Sequence, residues 1–374
     1  MRRGTRHRAW GRRGRLGTLA ACLLPLALQA CLPSSQKENS RALAAADSAA
    51  QAIAEAVPVD TLAQVWTARA PEADPMTVPS TIAWVGEALA VVETQEGSVR
   101  RFSAEGDYRD RTDVPTGSFP YGAGVRGDTL VVLARGTPAL LWVVPGEGVV
   151  REVPAPLGAT AALATRDVLA VRVGGGPDTL APAVVRLDER GRETARQALP
   201  GSAWRSVGFL RWWRDRVVAL SGYRPVVDRL EPTEAGGLGA ADTLALTGFY
   251  SPQLVRSAQF MREEVDEPPL LTSSAAALLG RLFVLNLRSD EVRVDVYDRR
   301  GQLERVLVSP TRGLEIDVAQ DLAVRRGPEG GVELAVLMVR PPGVLQTPES
   351  RVILFRWDGA PPVPSERDSV PTLP

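Results

Sequence analysis

The sequence predicts an all-β fold, a six-bladed β-propeller of four-stranded blades, and three observations carry that expectation. From Thr61 onward, short β-type runs alternate with Gly, Pro and Asp turns every eight to twelve residues, and helical periodicity disappears. Turn glycines recur at repeat spacing: Gly106 to Gly148 is 42 residues, Gly148 to Gly191 is 43, and Gly301 to Gly359 is 58. The 110 residues from Gly191 to Gly301 fit two further units of about 55. Finally, Asp-Thr-Leu recurs at 60, 128, 178 and 242, where a turn hands over to a strand.

The units follow in order. The first runs from Ile82 to Val92, continues through Val99-Arg100-Arg101-Phe102 and turns at Ala104-Glu105-Gly106-Asp107. The second runs from Ala123-Gly124-Val125 through Leu130-Val131-Val132 and Leu140-Leu141-Trp142-Val143 to Gly148. The third holds Val168-Leu169-Ala170-Val171, Val184-Val185-Arg186-Leu187 and the turn Asp188-Glu189-Arg190-Gly191. The fourth holds Val207 to Leu210, Val217 to Leu220 and Val226 to Leu230, with an insertion from Glu231 to Asp242 in place of its turn. The fifth ends Tyr297-Asp298-Arg299-Arg300-Gly301, and the last ends Val352 to Gly359. Open sheet edges invite pairing with other chains, so a ring needs a last sheet completed from both ends of the chain. Thr61-Leu62-Ala63-Gln64-Val65-Trp66 has no unit of its own and is the predicted outer strand of that sheet.

Phe119-Pro120-Tyr121-Gly122-Ala123-Gly124-Val125 and Tyr297-Asp298-Arg299-Arg300-Gly301 carry a family resemblance. Residues 61–359 resemble NHL-type six-bladed propellers, whose inner strands open near a Pro-x-Gly-Ile-Ala-Val pattern and whose later strands end in an Asp-Gly hairpin. The resemblance implies a rigid ring with its site at the mouth of the central channel. It also admits lyases and lactonases.

The N-terminus supplies an address. Seven arginines and no acidic residue precede an uncharged run from Leu16 to Ala30, which closes Leu28-Gln29-Ala30-Cys31. A basic start, a short apolar core and small residues before the cut make a secretory signal. Fifteen residues containing Pro25 are too few for a comfortable membrane span. The end resembles the lipobox of bacterial lipoproteins, which implies lipidation of Cys31 after removal of residues 1–30. Gln29 departs from the small or hydroxyl residue usual there. Residues 31–60, polar and then Ala-rich, read as a tether with a short helix over Ala42 to Ala56, and 360–374 as a Pro-rich tail. With the propeller, this signal resembles lipid-anchored propeller proteins of bacterial envelopes. That implies a cell-envelope location, most readily the outer membrane facing the periplasm or the exterior.

Composition narrows the chemistry. Residues 1–30 hold seven of the 44 Lys and Arg and none of the 44 Asp and Glu, so the mature chain carries a formal charge of −7. That argues against nucleic acid, which needs clustered Lys and Arg. The only histidine is His7, the only cysteines Cys22 and Cys31, and the only lysine Lys37. The folded part therefore has no imidazole, thiol or lysine amine. Ser-His-Asp and Cys-His catalysis, His/Cys zinc sites, Schiff bases and structural disulfides all fall away. Carboxylate acid/base work and oxygen-ligand Ca²⁺ or Mg²⁺ chemistry remain open. No cofactor is expected.

Individual motifs read mostly as structure. Gly122-Ala123-Gly124-Val125-Arg126-Gly127 satisfies Gly-x-Gly-x-x-Gly, but Asp128 to Val132 follows as a turn and a strand, not the helix that would hold a pyrophosphate. Gly174-Gly175-Gly176-Pro177 lacks the Lys-Ser or Lys-Thr of a phosphate loop. Glu263-Glu264-Val265-Asp266-Glu267 lacks the ligand spacing and turn glycine of a calcium loop. Arg211-Trp212-Trp213-Arg214-Asp215-Arg216 offers aromatic faces among guanidiniums, suited to a sugar or an acidic partner, or else to a rim hairpin whose rings cover the blade.

The candidate binding site is the channel mouth, lined by residues that open the inner strands: Thr81, Tyr121, Thr160, Arg205, Ser273 and Glu315, with Trp204 beside Arg205 and Asp317 after Glu315. No catalytic residue and no metal ligand is assigned. The expected function is a membrane-tethered, non-catalytic propeller that presents a face to a partner protein or an extracellular ligand. The alternative is a carboxylate- or Ca²⁺-dependent propeller enzyme.

Overall fold

The computed structural model describes residues 48–359, apart from 175–180, 202–206, 263, 266–268, 289–290, 310–316, 329 and 341–349. Contacts divide the chain into two units, Met1–Ala46 and Asp47–Pro374, and the described residues all lie in the second.

The fold is all-β and propeller-like, with four-stranded antiparallel sheets. A helix over 48–56, α1, leads into β1 (Val59–Thr61) and β2 (Ala63–Ala68). Meanders follow. The first is β3 (Pro79–Val85), β4 (Ala88–Glu93), β5 (Ser98–Phe102) and β6 (Tyr108–Asp113). The second is β7 (Pro120–Arg126), β8 (Thr129–Ala134), β9 (Ala139–Val144) and β10 (Gly148–Pro154). The third is β11 (Ala159–Ala164), β12 (Leu169–Val173), β13 (Ala183–Leu187) and β14 (Glu193–Ala198). The fourth is β15 (Gly208–Trp213), β16 (Arg216–Ser221), β17 (Val226–Leu230) and β18 (Asp242–Ala245), followed by helix α2 (Leu254–Met261). The fifth is β19 (Thr272–Leu278), β20 (Arg281–Asn286), β21 (Arg293–Tyr297) and β22 (Leu303–Val308). The last has β23 (Val318–Arg326), β24 (Val332–Val339) and β25 (Arg351–Trp357), and β2 completes it as a fourth strand.

Hydrogen bonding groups these strands into five sheets rather than the six separate ones the repeats predict. The second and third meanders merge into one eight-stranded sheet through a single parallel bridge, Ala164 to Gly124. Glycine makes that approach possible: at Gly124, φ +149°, a Cβ would stand 2.1 Å from the Ala164 carbonyl oxygen. The fifth sheet gains β1, which runs parallel to β22.

The chain ends meet as the repeats predict. β2 pairs antiparallel with β25, from Ala63 opposite Arg356 to Ala68 opposite Val352. Pairing begins earlier than expected: β1 takes Val59 and Asp60 from the segment read as tether, and Thr61 from the predicted closing strand, and pairs them with the fifth sheet instead of the last. Ala54 of α1 is also buried, among Phe249, Leu271 and Leu303. Among the described residues, no helix is long and apolar enough to cross a membrane.

The core explains why the middle strands read as unbroken apolar runs. Successive strand residues face opposite sides of a sheet. In β8, Leu130, Val132 and Ala134 pack toward the first meander, whereas Val131 and Leu133 pack toward the third. A strand covered on both faces needs apolar residues at every position. Such layers of buried residues lie between each pair of consecutive meanders, and also between the last and the first.

Candidate functional site

β3, β7, β11, β15, β19 and β23 are the first strands of their meanders, and each contacts the next in turn, with β23 returning to β3. Their registers match. Gly122, third in β7, donates its N–H to Oγ1 of Thr81, third in β3, at 2.7 Å. Ile82, fourth in β3, donates its N–H to Oδ2 of Asp321, fourth in β23, at 2.8 Å. Equal positions meet in these two pairs, and β11 bridges β7 in parallel, as for strands that run in the same direction and open at the same end.

Of the predicted mouth residues, the structure places Thr81, Tyr121, Thr160 and Ser273 at the openings of β3, β7, β11 and β19. Trp204, Arg205 and Glu315 lie outside the described residues, as does Cys31. Tyr121 and Thr160 are brought together by a residue the sequence reading missed. The Arg135 guanidinium stacks 3.5 Å from the centre of the Tyr121 ring and donates a hydrogen bond to the Thr160 carbonyl oxygen. Surrounding protein desolvates this guanidinium and lowers its pKa, against the attraction of the Tyr121 oxygen. The pair is a flat aromatic face capped by a cation. Thr81 serves the fold instead, since its hydroxyl oxygen holds the Gly122 N–H. The Ser273 hydroxyl is buried with no partner among the described residues.

A second group links the inner strands. Asp321 is 3% exposed and accepts hydrogen bonds from Ile82 N–H, from the Ser274 hydroxyl and, at 3.3 Å, from Nη2 of Arg211. Arg211 also donates to the Ser274 hydroxyl at 2.9 Å, to the Leu210 carbonyl at 2.8 Å and to the Ala275 carbonyl. Side chains and backbone of β15, β19, β23 and β3 thus join in one network. Burial pushes the Asp321 carboxyl up, and the Arg211 charge opposes it. A sequence signal existed: Asp321 is a lone charge inside Val318-Ala319-Gln320-Asp321-Leu322-Ala323-Val324.

Among the described residues, Asp317 and Glu93 near the strand openings are also engaged. Asp317, 2% exposed, receives Nε of Arg340 at 2.7 Å and Nη1 of Arg351. Burial would raise its carboxyl, but the two guanidiniums carry it below the ordinary value of 3.8. Glu93 is fully buried and accepts the N–H groups of Val78 at 2.7 Å and Thr77 at 3.0 Å. Among the described residues no group of three or more His, Cys, Asp or Glu is placed to hold a metal ion.

The motifs resolve into structure. Gly122 leaves room for Thr81, Gly124 for the Ala164 carbonyl, and Gly127, φ +61°, turns β7 into β8. The Trp212-Trp213 pair splits its roles. Trp213 is buried and donates its indole N–H to the Gly280 carbonyl at 2.9 Å, while Trp212 is half-buried.

This architecture, with the first strands of six meanders in contact around a buried polar network, defines an all-β protein of β-propeller type. No family model matches the chain, and no curated protein matches it. Among solved structures, a streptogramin B lyase aligns with 78% of this chain and 97% of its own, at 11% identity and a TM-score of 0.49. A virginiamycin B lyase from Staphylococcus aureus aligns with 78% and 99%, at 10% identity and a TM-score of 0.46. A Bacteroides fragilis protein described as exported aligns with 80% and 98%, at 8% identity and a TM-score of 0.47.

Proposed function

We propose that this chain is a lipid-anchored, six-bladed β-propeller of NHL type in a bacterial envelope. It is non-catalytic and presents the end where its inner strands open to a partner protein or an extracellular ligand. Six four-stranded groups, counting β2 with β23–β25, and an apolar layer between every consecutive pair support the blade count. The N-terminal arginines, the short apolar run and Cys31 support the anchor.

The observation that carries the binding reading is the state of the central carboxylates. General acid/base chemistry needs a carboxyl within reach of a substrate proton. Asp321 and Asp317 are instead occupied by guanidiniums, a hydroxyl and a backbone N–H. Among the described residues, the opening offers the Tyr121–Arg135 stack, which suits an anionic or aromatic group on a partner.

The test uses protein extracted from membranes, with its N-terminal peptide read by mass spectrometry and the intact protein used as bait for envelope components. The expected result is an acylated Cys31 and a defined captured partner, lost from Tyr121→Ala and Arg135→Ala proteins that melt within a few degrees of wild type. An unmodified Cys31 would remove the anchor, and equal capture by both variants would remove the mouth. A melting temperature raised by calcium together with calcium-dependent turnover would establish the enzyme alternative instead.

A further inference from the structure

We propose that a pocket at the opposite end of β15 from the mouth binds the phosphate group of a small ligand, either free phosphate or a phosphorylated lipid headgroup. The pocket has a volume of about 220 Å³ and is lined by Trp213, Arg214, Arg216, Arg229 and Arg299. Four guanidiniums and one indole make its wall, in a mature chain whose formal charge is −7.

The arginines come from separate elements. Arg214 and Asp215 form the two-residue turn between Trp213 and Arg216, which pair across β15 and β16. Arg229 lies on β17, and Arg299 comes from the turn between β21 and β22 of the next blade. The first turn is unusual in composition. Both residues have positive φ, +52° and +59°, a geometry that ordinarily takes Asn-Gly. Trp213 is anchored by its bond to Gly280, so the wall has a fixed aromatic floor.

Charge counting points to an anion. Glu231 meets Arg216 at 3.6 Å, and Asp242 pairs with Arg229. Arg214 and Arg299 have no ion pair or hydrogen bond among the described residues, and Nε of Arg229 is buried without a partner. Asp298, in the same turn as Arg299, already accepts the N–H groups of Arg300 and Gln302, each at 2.8 Å. Asp215 has no ion pair with these arginines among the described residues. Four positive groups against two carboxylates leave a surplus of two, which matches a phosphate dianion. Guanidinium forks bind tetrahedral oxyanions bidentately, and a lysine-free chain has only arginine for the task. Partial enclosure strengthens the attraction over that at an open surface.

The test is calorimetric titration of the whole mature protein in detergent with inorganic phosphate and, separately, with soluble dihexanoyl phosphatidic acid, at constant ionic strength in chloride. Binding of one equivalent of either ligand is expected, with Kd raised about tenfold or more in the double variant Arg214→Gln/Arg299→Gln. Neither residue has a bond to lose among the described residues, so the melting temperature of that variant should not move. Tighter binding of the phosphatidic acid would assign a headgroup, and tighter binding of phosphate would assign the free ion. No heat above the chloride baseline with either ligand, or equal Kd in the double variant, would overturn the proposal.

Discussion

Arg211 and Arg214 stand three residues apart in one hairpin and do opposite things. Arg211 turns into the ring and ends on Asp321, Ser274 and two backbone carbonyls. Arg214 occupies a turn at positive φ, is exposed, and has no partner among the described residues. The first is a fastener between blades. The second is spare charge held at a pocket edge. Residue type is the same, so the difference lies in whether the fold brings a carboxylate to meet it. The same division separates Arg340 and Arg351, both spent on Asp317, from Arg299.

The sharpest way to break this contrast is to remove the carboxylate from Arg211. Asp321→Ala leaves the partly buried Arg211 guanidinium without its carboxylate and frees the Ile82 N–H, and should cost up to about 3–5 kcal/mol. A double variant, Arg211→Met/Asp321→Leu, removes both charges and should recover much of that loss, because an apolar pair avoids the desolvation penalty. Denaturant unfolding of the three proteins measures it. If Asp321→Ala unfolds like wild type, the central network is ornamental and Arg211 no more committed than Arg214.

A smaller effect separates Asp317 from Asp321 by pH. Asp317 titrates below 3.8 in the fold, so the stability it contributes is present above the unfolded value and lost as pH falls through the folded one. Asp321 is shifted up, so its contribution has the opposite sign and declines as pH rises from 3.8 toward its folded value. Melting curves from pH 6 down to about pH 3 should therefore fall less steeply for Asp317→Asn than for wild type. Asp74, held down by Arg111 and Arg100 against its own burial, keeps part of the acid sensitivity in both proteins. An unchanged slope would mean that Arg340 and Arg351 do not hold Asp317 in solution.

Last and smallest, Arg214→Gln should change stability by no more than about 0.5 kcal/mol, as for other exposed positions without partners. A loss of several times that in thermal unfolding would show that Arg214 fastens the turn and is not spare.

Much of the fold was legible because it is local and repeated. Asp188 and Asp298 each take two backbone N–H groups of their own turn, with Gly191 and Gly301 at positive φ, so a four-residue pattern marks the third hairpin of a blade. The insertion from Glu231 to Asp242 was visible as a gap in that pattern, and it forms its own small turn around Thr233 and Gly236. The closing pair of β2 and β25 followed from a strand left over at one end and a strand lacking a partner at the other.

The site was less legible, because its contacts are made between blades. Arg211 and Asp321 are 110 residues apart, and nothing local to either names the other. Arg135 lies in the turn after β8 and reaches Thr160 on the next blade, so reading the residues that open inner strands could not find it. By itself the sequence determined the all-β class, the repeat, the closure of the chain ends and the absence of imidazole and lysine chemistry from the folded part. Those follow from periodicity, turn residues and composition. Only the tertiary structure decided which arginines are paired and which are free, because a charge is settled by neighbours that the ring assembles from different blades.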